Sequence, residues 1–222
     1  MGVNVGLSKT TPYLAWGGKI RPTEIDMLHQ YTYLQPDASD SAIMNTLSGT
    51  GLAGTITKGE LDYPRNIMVS FTDASGTTWN CSVVVAGKDQ FGNTISETFA
   101  LAGDGTLSTN GTKIFDKVTS VVNTPSAGSA AGDDIRIGYV VAAGTAKLGL
   151  YTKVGAVADV KRVQWNDNGT LKPGTATVDT TYHAITLAGA ISGDDDYLVY
   201  VKPNYTTDDN DIANLGTSSL IS

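Results

Sequence analysis

From residue 42 onward, apolar and polar residues alternate with a period of two, and this alternation constrains the fold more than any other feature of the chain. It is clear in NIMVSFTD (66–73), TTWNCSVVVAG (77–87) and NTISETFAL (93–101). Successive side chains of a strand point to opposite faces, so each segment predicts a strand with one buried face. Turn residues separate the segments, and NDNG at 166–169 is the strongest hairpin signal. Many short strands joined by turns predict an all-β fold, either a β-sandwich or a barrel.

The strand-like segments form two groups, which suggests a division of the 222-residue chain. We predict an extended N-terminal arm at 1–41, a main β-sandwich domain at 42–143, a second, smaller β-lobe at 144–204 and a C-terminal tail at 205–222. A chain of this length fits one large domain or two small ones. A separate lobe and a single larger body that includes it are both consistent with the pattern.

The N-terminal arm is poor in alternation but rich in aromatic residues, namely Tyr13, Trp16, Tyr31 and Tyr33. Aromatic rings supply a large contact area at low entropic cost, so we predict that these four residues contact a neighbouring subunit. The alternative is that the arm covers an edge of the chain's own core. On the first interpretation, deletion of 1–34 should leave a folded body.

The net negative charge and the scattered basic residues argue against binding to nucleic acid. The chain has 22 acidic and 15 basic residues, for a net charge of −7, and Lys161–Arg162 is the one basic pair among scattered cations. Binding to phosphates needs a basic stripe, which is absent from the sequence. No apolar run approaches the roughly 20 residues that a membrane span requires, and the first residues do not match a signal peptide. We therefore predict a protein that folds in the cytoplasm and binds neither nucleic acid nor membrane.

The single cysteine, Cys81, is predicted to be a small core residue. It alternates with Trp79 and Val83 on one face of a strand. One cysteine forms neither an intrachain disulfide nor a four-thiolate zinc site. A nucleophilic thiol would need an activating partner, and the two histidines, His29 and His183, lie in no recognisable motif.

The segment KDQFGN at 88–93 raises the question of a metal site, because Asp and Gly residues often surround bound cations. It contains one carboxylate, Asp89, whereas calcium takes six to eight oxygen ligands. We therefore predict a hairpin turn in which Asp89 caps backbone amides. Gly92 is expected to adopt a backbone conformation that disfavours a side chain.

Two acidic runs, Asp194–Asp196 and Asp208–Asp211, are also predicted to be turns. Neither has the ligand spacing or the terminal glutamate of a helix–loop–helix calcium site. Solvated turns are the favoured interpretation, and weak calcium binding is the alternative.

The remaining chemistry gives no enzymatic signal. The acidic residues cluster in turns, so the sequence does not place two carboxylates across a cleft as a glycosidase requires. A sugar-stacking platform of Trp16, Trp79 and Trp165 is less favoured than packing in a core or interface, because two of them lie in alternating strands. We predict no catalytic residue, no cofactor and no metal, and therefore a protein that is not an enzyme.

Four strings carry a resemblance to a known class of proteins. They are PRNIMV (64–69), VVVAGKDQFGNTISET (83–98), KIFDKVTSV (113–121) and IRIG (135–138). Their order and spacing resemble a pattern in virion structural proteins of tailed bacteriophages, most closely the capsid decoration, or cement, proteins. The resemblance covers about 64–138, roughly a third of the chain.

The resemblance implies a protein that binds the outer face of the major capsid protein lattice and stabilises the capsid. It also implies self-association as a dimer or trimer, production in the host cytoplasm and a final location on the capsid surface of the virion. Two alternatives come from other classes. One is a receptor-binding or carbohydrate-binding protein of a tail or head fibre, and the other is a glycan-degrading tail enzyme.

Overall fold

The structure, a computed structural model, describes residues 28–202 except 75, 77, 126, 127, 168, 169 and 193. This part of the chain consists of strands joined by turns and loops, with one short 3-10 helix at Val157–Asp159 and no α-helix. The strands are β1 (His29–Tyr33), β2 (Met44–Ser48), β3 (Glu60–Arg65), β4 (Ile67–Thr72), β5 (Trp79–Lys88), β6 (Thr94–Gly103), β7 (Thr106–Asn110), β8 (Phe115–Pro125), β9 (Asp134–Tyr139), β10 (Lys147–Gly149), β11 (Val160–Asp167), β12 (Thr170–Pro173), β13 (Ala176–Asp179), β14 (Ala184–Leu187) and β15 (Asp196–Val201). The prediction of an all-β fold is confirmed.

Strands form where the sequence alternates, and β5 is the clearest case. Trp79, Cys81, Val83 and Val85 point inward and are buried, while the residues between them are partly or fully exposed. Burial of one face removes apolar area from water, which stabilises the strand in this orientation. The alternation therefore sets which face of the strand meets the core.

The strands assemble into three antiparallel sheets. Sheet A has the order β1-β15-β11-β12, sheet B the order β2-β9-β4-β7, and sheet C the order β13-β14-β10-β3-β8-β5-β6. Within sheet C, β5 pairs with β6 along ten residues and with β8 on its other side. All three sheets are open, so each ends in two edge strands.

The first hydrophobic cluster lies between sheet B and the β3-β8-β5-β6 part of sheet C. Its buried residues come from both sheets, and the rings of Phe71 and Trp79 meet edge to face with centroids 4.7 Å apart. Such edge-to-face pairs add to the stabilisation given by burial alone. This cluster falls within the region predicted as the main domain, 42–143.

The second hydrophobic cluster lies between sheet A and the β13-β14-β10 part of sheet C. Its buried members are Tyr31, Tyr33, Val140, Ala146, Leu148, Leu150, Val154, Ile185, Leu187, Ile191, Tyr197, Val199 and Val201. Most of them belong to 144–204, the region predicted as a smaller lobe. The two tyrosines of β1 come from the region predicted as an arm.

Sheet C extends through both clusters. β10 pairs with β14 on one side and with β3 on the other, where Leu148 lies opposite Arg65. The strands on the two sides of the predicted boundary therefore share one sheet.

β1 lies within the segment predicted as an extended arm, and the structure corrects that prediction for its five residues. β1 pairs with β15 over its whole length, from His29 opposite Val201 to Tyr33 opposite Tyr197. The physical reason is its own alternation, HQYTY, which turns both tyrosines toward the second cluster. Residues 1–27 and the predicted tail at 205–222 lie outside the described residues.

Gly87 marks an irregularity in the pairing of β5 with β8. The register shifts between Ala86 and Gly87, and a Cβ atom at Gly87 would overlap the backbone carbonyl oxygen of Lys117. We expect Gly87→Ala to lower the free energy of unfolding by about 2 kcal/mol or more, because the overlapping atom is backbone and cannot turn aside. Urea denaturation measures the change. Gly189→Ala is the control, since no atom lies within 4 Å of a Cβ there, and equal losses in both variants would contradict this explanation.

Candidate functional site

Two of the four aromatic residues predicted to contact a partner lie in the core of the chain itself. Tyr31 and Tyr33 are 8% and 2% exposed. The Tyr33 hydroxyl donates to the Gly149 carbonyl oxygen at 2.8 Å, and burial raises the pKa of Tyr33 well above its usual value. Internal packing of both rings corrects the prediction for these two residues. The other two, Tyr13 and Trp16, lie outside the described residues.

The corner between β5 and β6 is a hairpin turn, as predicted. The Asp89 carboxylate accepts hydrogen bonds from the backbone N–H of Phe91 at 2.9 Å and of Asn93 at 2.8 Å, and from the Asn93 side-chain amide at 3.0 Å. Gly92 has a φ of +82°, in the region that favours glycine. The predicted roles of Asp89 and Gly92 are confirmed.

An open cleft of about 320 Å³ lies beside this corner. Its lining includes two lysines and three rings: Lys113, Lys153, Phe91, Tyr182 and His183. The rings of Phe91 and His183 meet edge to face with centroids 5.5 Å apart. Asp89 is the one acidic residue among those that line the cleft, and its carboxylate is already hydrogen-bonded within the turn. The lining therefore offers ring faces and donors, which suits a polar neutral or anionic group.

A charged side chain lies fully buried where the two hydrophobic clusters meet. Arg65 is 0% exposed, and its Nη1 donates to the Asp37 carbonyl oxygen at 2.8 Å and to the Asp62 carboxylate at 3.0 Å. Its guanidinium lies 4.1 Å from the centroid of the Tyr139 ring. Burial lowers the pKa of Arg65, and the Asp62 carboxylate acts in the opposite direction. Arg65 thus holds the segment around Asp37 against β3 and β9.

The side chain of the next residue, Asn66, connects two further parts of the chain, Gly111 and the segment 145–147. Its side-chain amide donates to the carbonyl oxygens of Gly111 at 2.9 Å and Thr145 at 3.0 Å, and its side-chain oxygen accepts the backbone N–H of Lys147 at 2.8 Å. A buried amide with these bonds satisfied rigidifies its surroundings. Arg65 and Asn66 belong to the string PRNIMV, which carries part of the resemblance to virion proteins. Nothing in the local sequence indicates that these two polar side chains are buried.

The described acidic residues do not gather into a metal site. No group of three or more His, Cys, Asp and Glu side chains within the described ranges could hold a metal ion. In the run Asp194–Asp196, the Asp195 carboxylate accepts the Ser192 hydroxyl at 3.0 Å, and the Asp196 carboxylate accepts the backbone N–H of Gln35 at 3.2 Å. The two side chains thus serve different local contacts. The run Asp208–Asp211 lies outside the described residues.

Trp79 and Cys81 are core residues, as predicted. Trp79 is 0% exposed and packs against Phe71. Burial raises the pKa of the Cys81 thiol to about 11, so the thiol is protonated at neutral pH. Trp165 is partly buried against the second cluster, with the ammonium of Lys172 5.0 Å from its ring centroid. Trp16 is the third tryptophan of the sugar-stacking platform weighed from the sequence, and it lies outside the described residues.

The outer side of β5, β6 and β8 in sheet C contains a patch without charged residues, bordered by Lys88 at the end of β5, and we call this patch the neutral face. It consists of Ser82, Val84 and Ala86 of β5, Ser96, Thr98 and Ala100 of β6, and Ser120, Val122 and Thr124 of β8. Cross-strand pairing arranges these residues in three rows, with Val84 between Thr98 and Val122 in the middle row. Val122 is 47% exposed, and Leu52, whose carbonyl oxygen accepts the backbone N–H of Asn123, is 67% exposed.

The neutral face was not predicted, although the sequence contains its signal. In 82–86 and 94–102, every outward position is Ser, Thr, Ala or Val. The alternation showed which residues share a face, but it does not show which strands lie side by side. Only the order β8-β5-β6 joins three such stripes into one surface.

No helix in the described part of the chain has the length and apolar character needed to cross a membrane. Comparison of the sequence with protein-family models and with curated proteins, and of the fold with solved structures, found no match.

Proposed function

We propose that this chain is a structural protein of a tailed-bacteriophage virion, which decorates and stabilises the capsid by binding the outer face of the major capsid protein lattice. The resemblance of 64–138 to virion proteins is the starting point. The observation that carries the proposal is the neutral face, an uncharged surface on three paired strands. The proposed location is the capsid surface, and the proposed partners are the major capsid protein and further copies of the chain.

The neutral face suits a large contact because removing water from a surface without charged side chains costs little free energy. It contains no charged side chain in a chain with a net charge of −7. Serine and threonine hydroxyls can form hydrogen bonds with a partner, and the exposed Val122 side chain gains from burial. The three strands pair along their length, so the surface needs little ordering when it binds.

A single acidic substitution tests this role of the face. Val122→Glu places an unpaired charge in the middle row, and we expect it to weaken binding to heads that lack the protein by about tenfold or more. Cosedimentation of purified chain with such heads measures the affinity. Electron microscopy of the decorated heads then shows the position of the bound protein.

Val157→Glu is the matched control, because Val157 is 64% exposed and lies outside the neutral face. We expect the control to bind heads like the unsubstituted chain. Equal binding by both variants would contradict a role for the face. A failure of the unsubstituted chain to bind any capsid would overturn the proposed function itself.

A receptor-binding or carbohydrate-binding protein of a tail or head fibre is the alternative. The cleft beside the corner supports it, because a sugar can stack on rings such as Phe91 and Tyr182 and accept hydrogen bonds from lysines. Binding to a glycan array, together with no binding to heads, would favour this alternative.

A further inference from the structure

β6 is the longest edge strand in the described part of the protein. It has ten residues, whereas the other edge strands, β1, β2, β7, β12 and β13, have four or five. On one side it pairs with β5 over its full length, and no described strand pairs with its other side. Its outward residues Thr94, Ser96, Thr98, Ala100 and Ala102 are all exposed.

The hydrogen-bond pattern of the hairpin determines which backbone groups face outward. The Asp89 N–H donates to the Asn93 carbonyl oxygen at 3.0 Å, and hydrogen-bonded pairs in an antiparallel ladder recur at every second residue. The odd-numbered residues of β6 therefore bond to β5, and the even-numbered residues direct N–H and C=O away from the sheet. In agreement, the Ser96 carbonyl oxygen accepts the Lys113 ammonium at 2.6 Å.

This edge lacks most of the features that keep natural edge strands apart. Proteins protect edges with prolines, bulges, short strands or charges. β6 has no proline and pairs with β5 without a register shift. Its one charged residue, Glu97, accepts the backbone N–H of Thr112 at 2.7 Å and of Lys113 at 3.3 Å. β7, the edge of sheet B at the same side, contains no charged residue.

We propose that the β6 edge pairs with the β6 edge of a second copy of this chain, in an antiparallel arrangement that joins two copies of sheet C. Beyond the Lys113 contact at Ser96, the stretch 97–103 has no partner strand among the described residues on its outer side. This stretch is symmetric about Ala100, so a two-fold axis there places Ala100 opposite its own copy and Thr98 opposite Ala102. An interface with two-fold symmetry must be self-complementary.

The charges are compatible with this pairing. In the register centred on Ala100, Glu97 lies opposite Gly103 of the second copy, so no two like charges face each other across the strands. The small outward side chains continue the neutral face of one copy into that of the other. This dimer is one form of the self-association included in the proposed function, on which it rests. Because the dimer forms without a capsid, it can be tested without one.

Two substitutions at Ala100 test the edge in the full chain. Ala100→Lys would place two ammonium groups directly opposite each other, and Ala100→Pro would remove an outward N–H without breaking the ladder with β5. Ser120→Lys is the matched control, because it adds the same charge to the same face two strands away from the edge. Analytical ultracentrifugation measures the mass, and circular dichroism with thermal unfolding checks that each variant is folded.

We expect the unsubstituted chain and Ser120→Lys to have twice the chain mass, and both Ala100 variants to have the mass of one chain. A single-chain mass for the unsubstituted protein at every concentration would overturn the inference. So would dimers that persist in both Ala100 variants, or dissociation of Ser120→Lys together with them.

Cross-linking provides a measurement that does not depend on disrupting the edge. Opposed Cα atoms of a hydrogen-bonded antiparallel pair lie ~5.5 Å apart, so a short bis-maleimide should join two copies of Ala100→Cys. Ser120→Cys should remain uncross-linked, and the native Cys81 is buried. A dimer whose Ala100→Cys variant is not cross-linked would show that another surface forms the contact. Failure of head binding with an intact dimer would contradict the proposed function and leave this inference standing.

Discussion

Replacement of Arg65 by alanine is expected to lower the free energy of unfolding by about 3 kcal/mol. The substitution removes the cation that faces the Asp62 carboxylate and the donor to the Asp37 carbonyl oxygen, and it leaves a cavity beside the Tyr139 ring. The loss falls at the low end of the range for a broken buried ion pair, because Asp62 is 16% exposed and can take up water. Chemical denaturation followed by circular dichroism measures it.

Arg136→Ala is the control for the removal of an arginine as such. Arg136 pairs with Asp134 at 2.7 Å, but its side chain is 46% exposed. Exposed ion pairs contribute about 1 kcal/mol or less, so this variant should unfold close to the unsubstituted protein. Losses of equal size in the two variants would contradict the importance assigned to the buried guanidinium.

Removal of residues 1–34 is expected to unfold the second hydrophobic cluster, in contrast to the prediction from the sequence that a folded body remains. The truncation deletes β1 and with it Tyr31 and Tyr33. Loss of a large buried aromatic side chain costs about 3–5 kcal/mol, and two such losses approach the roughly 5–15 kcal/mol by which a whole domain is stable. It also uncovers the edge of β15. Thermal unfolding and limited proteolysis measure the effect.

The chain that begins at residue 28 is the matched control, because it lacks Tyr13 and Trp16 but keeps β1. We expect it to unfold at a temperature close to that of the full chain. The chain that begins at residue 35 lacks β1. If it unfolded at the same temperature as the chain that begins at residue 28, the role assigned to β1 would be contradicted. The folded control also tests whether Tyr13 and Trp16 are required for binding to heads.

The parts of the fold that depend on neighbouring residues were predictable. The burial of Trp79, Cys81 and Val83 follows from alternation within one strand, and the turn at Asp89 and Gly92 follows from the backbone preferences of two residues. β1 carried the same kind of signal in HQYTY, but the prolines and aromatic residues around it favoured the interpretation of the region as an arm.

The parts that depend on distant residues were not predictable. Arg65 bonds to a carbonyl group 28 residues away, and Asn66 bonds to groups 45, 79 and 81 residues away. Periodicity describes the orientation of a side chain within its own strand and carries no information on such partners. The neutral face and the position of β6 at the edge of the described sheet likewise follow from strand order, which is set by the packing of the whole chain.

β1 and β15 are antiparallel neighbours, and their pairing joins His29 to Val201 at one end of sheet A. The segment that enters β1 and the segment that leaves β15 are therefore attached to the body within a single strand spacing, about 5 Å. A cargo peptide fused through either segment would be tethered at the same pole of the protein. The pairing of β1 with β15 therefore suits display from one end of sheet A.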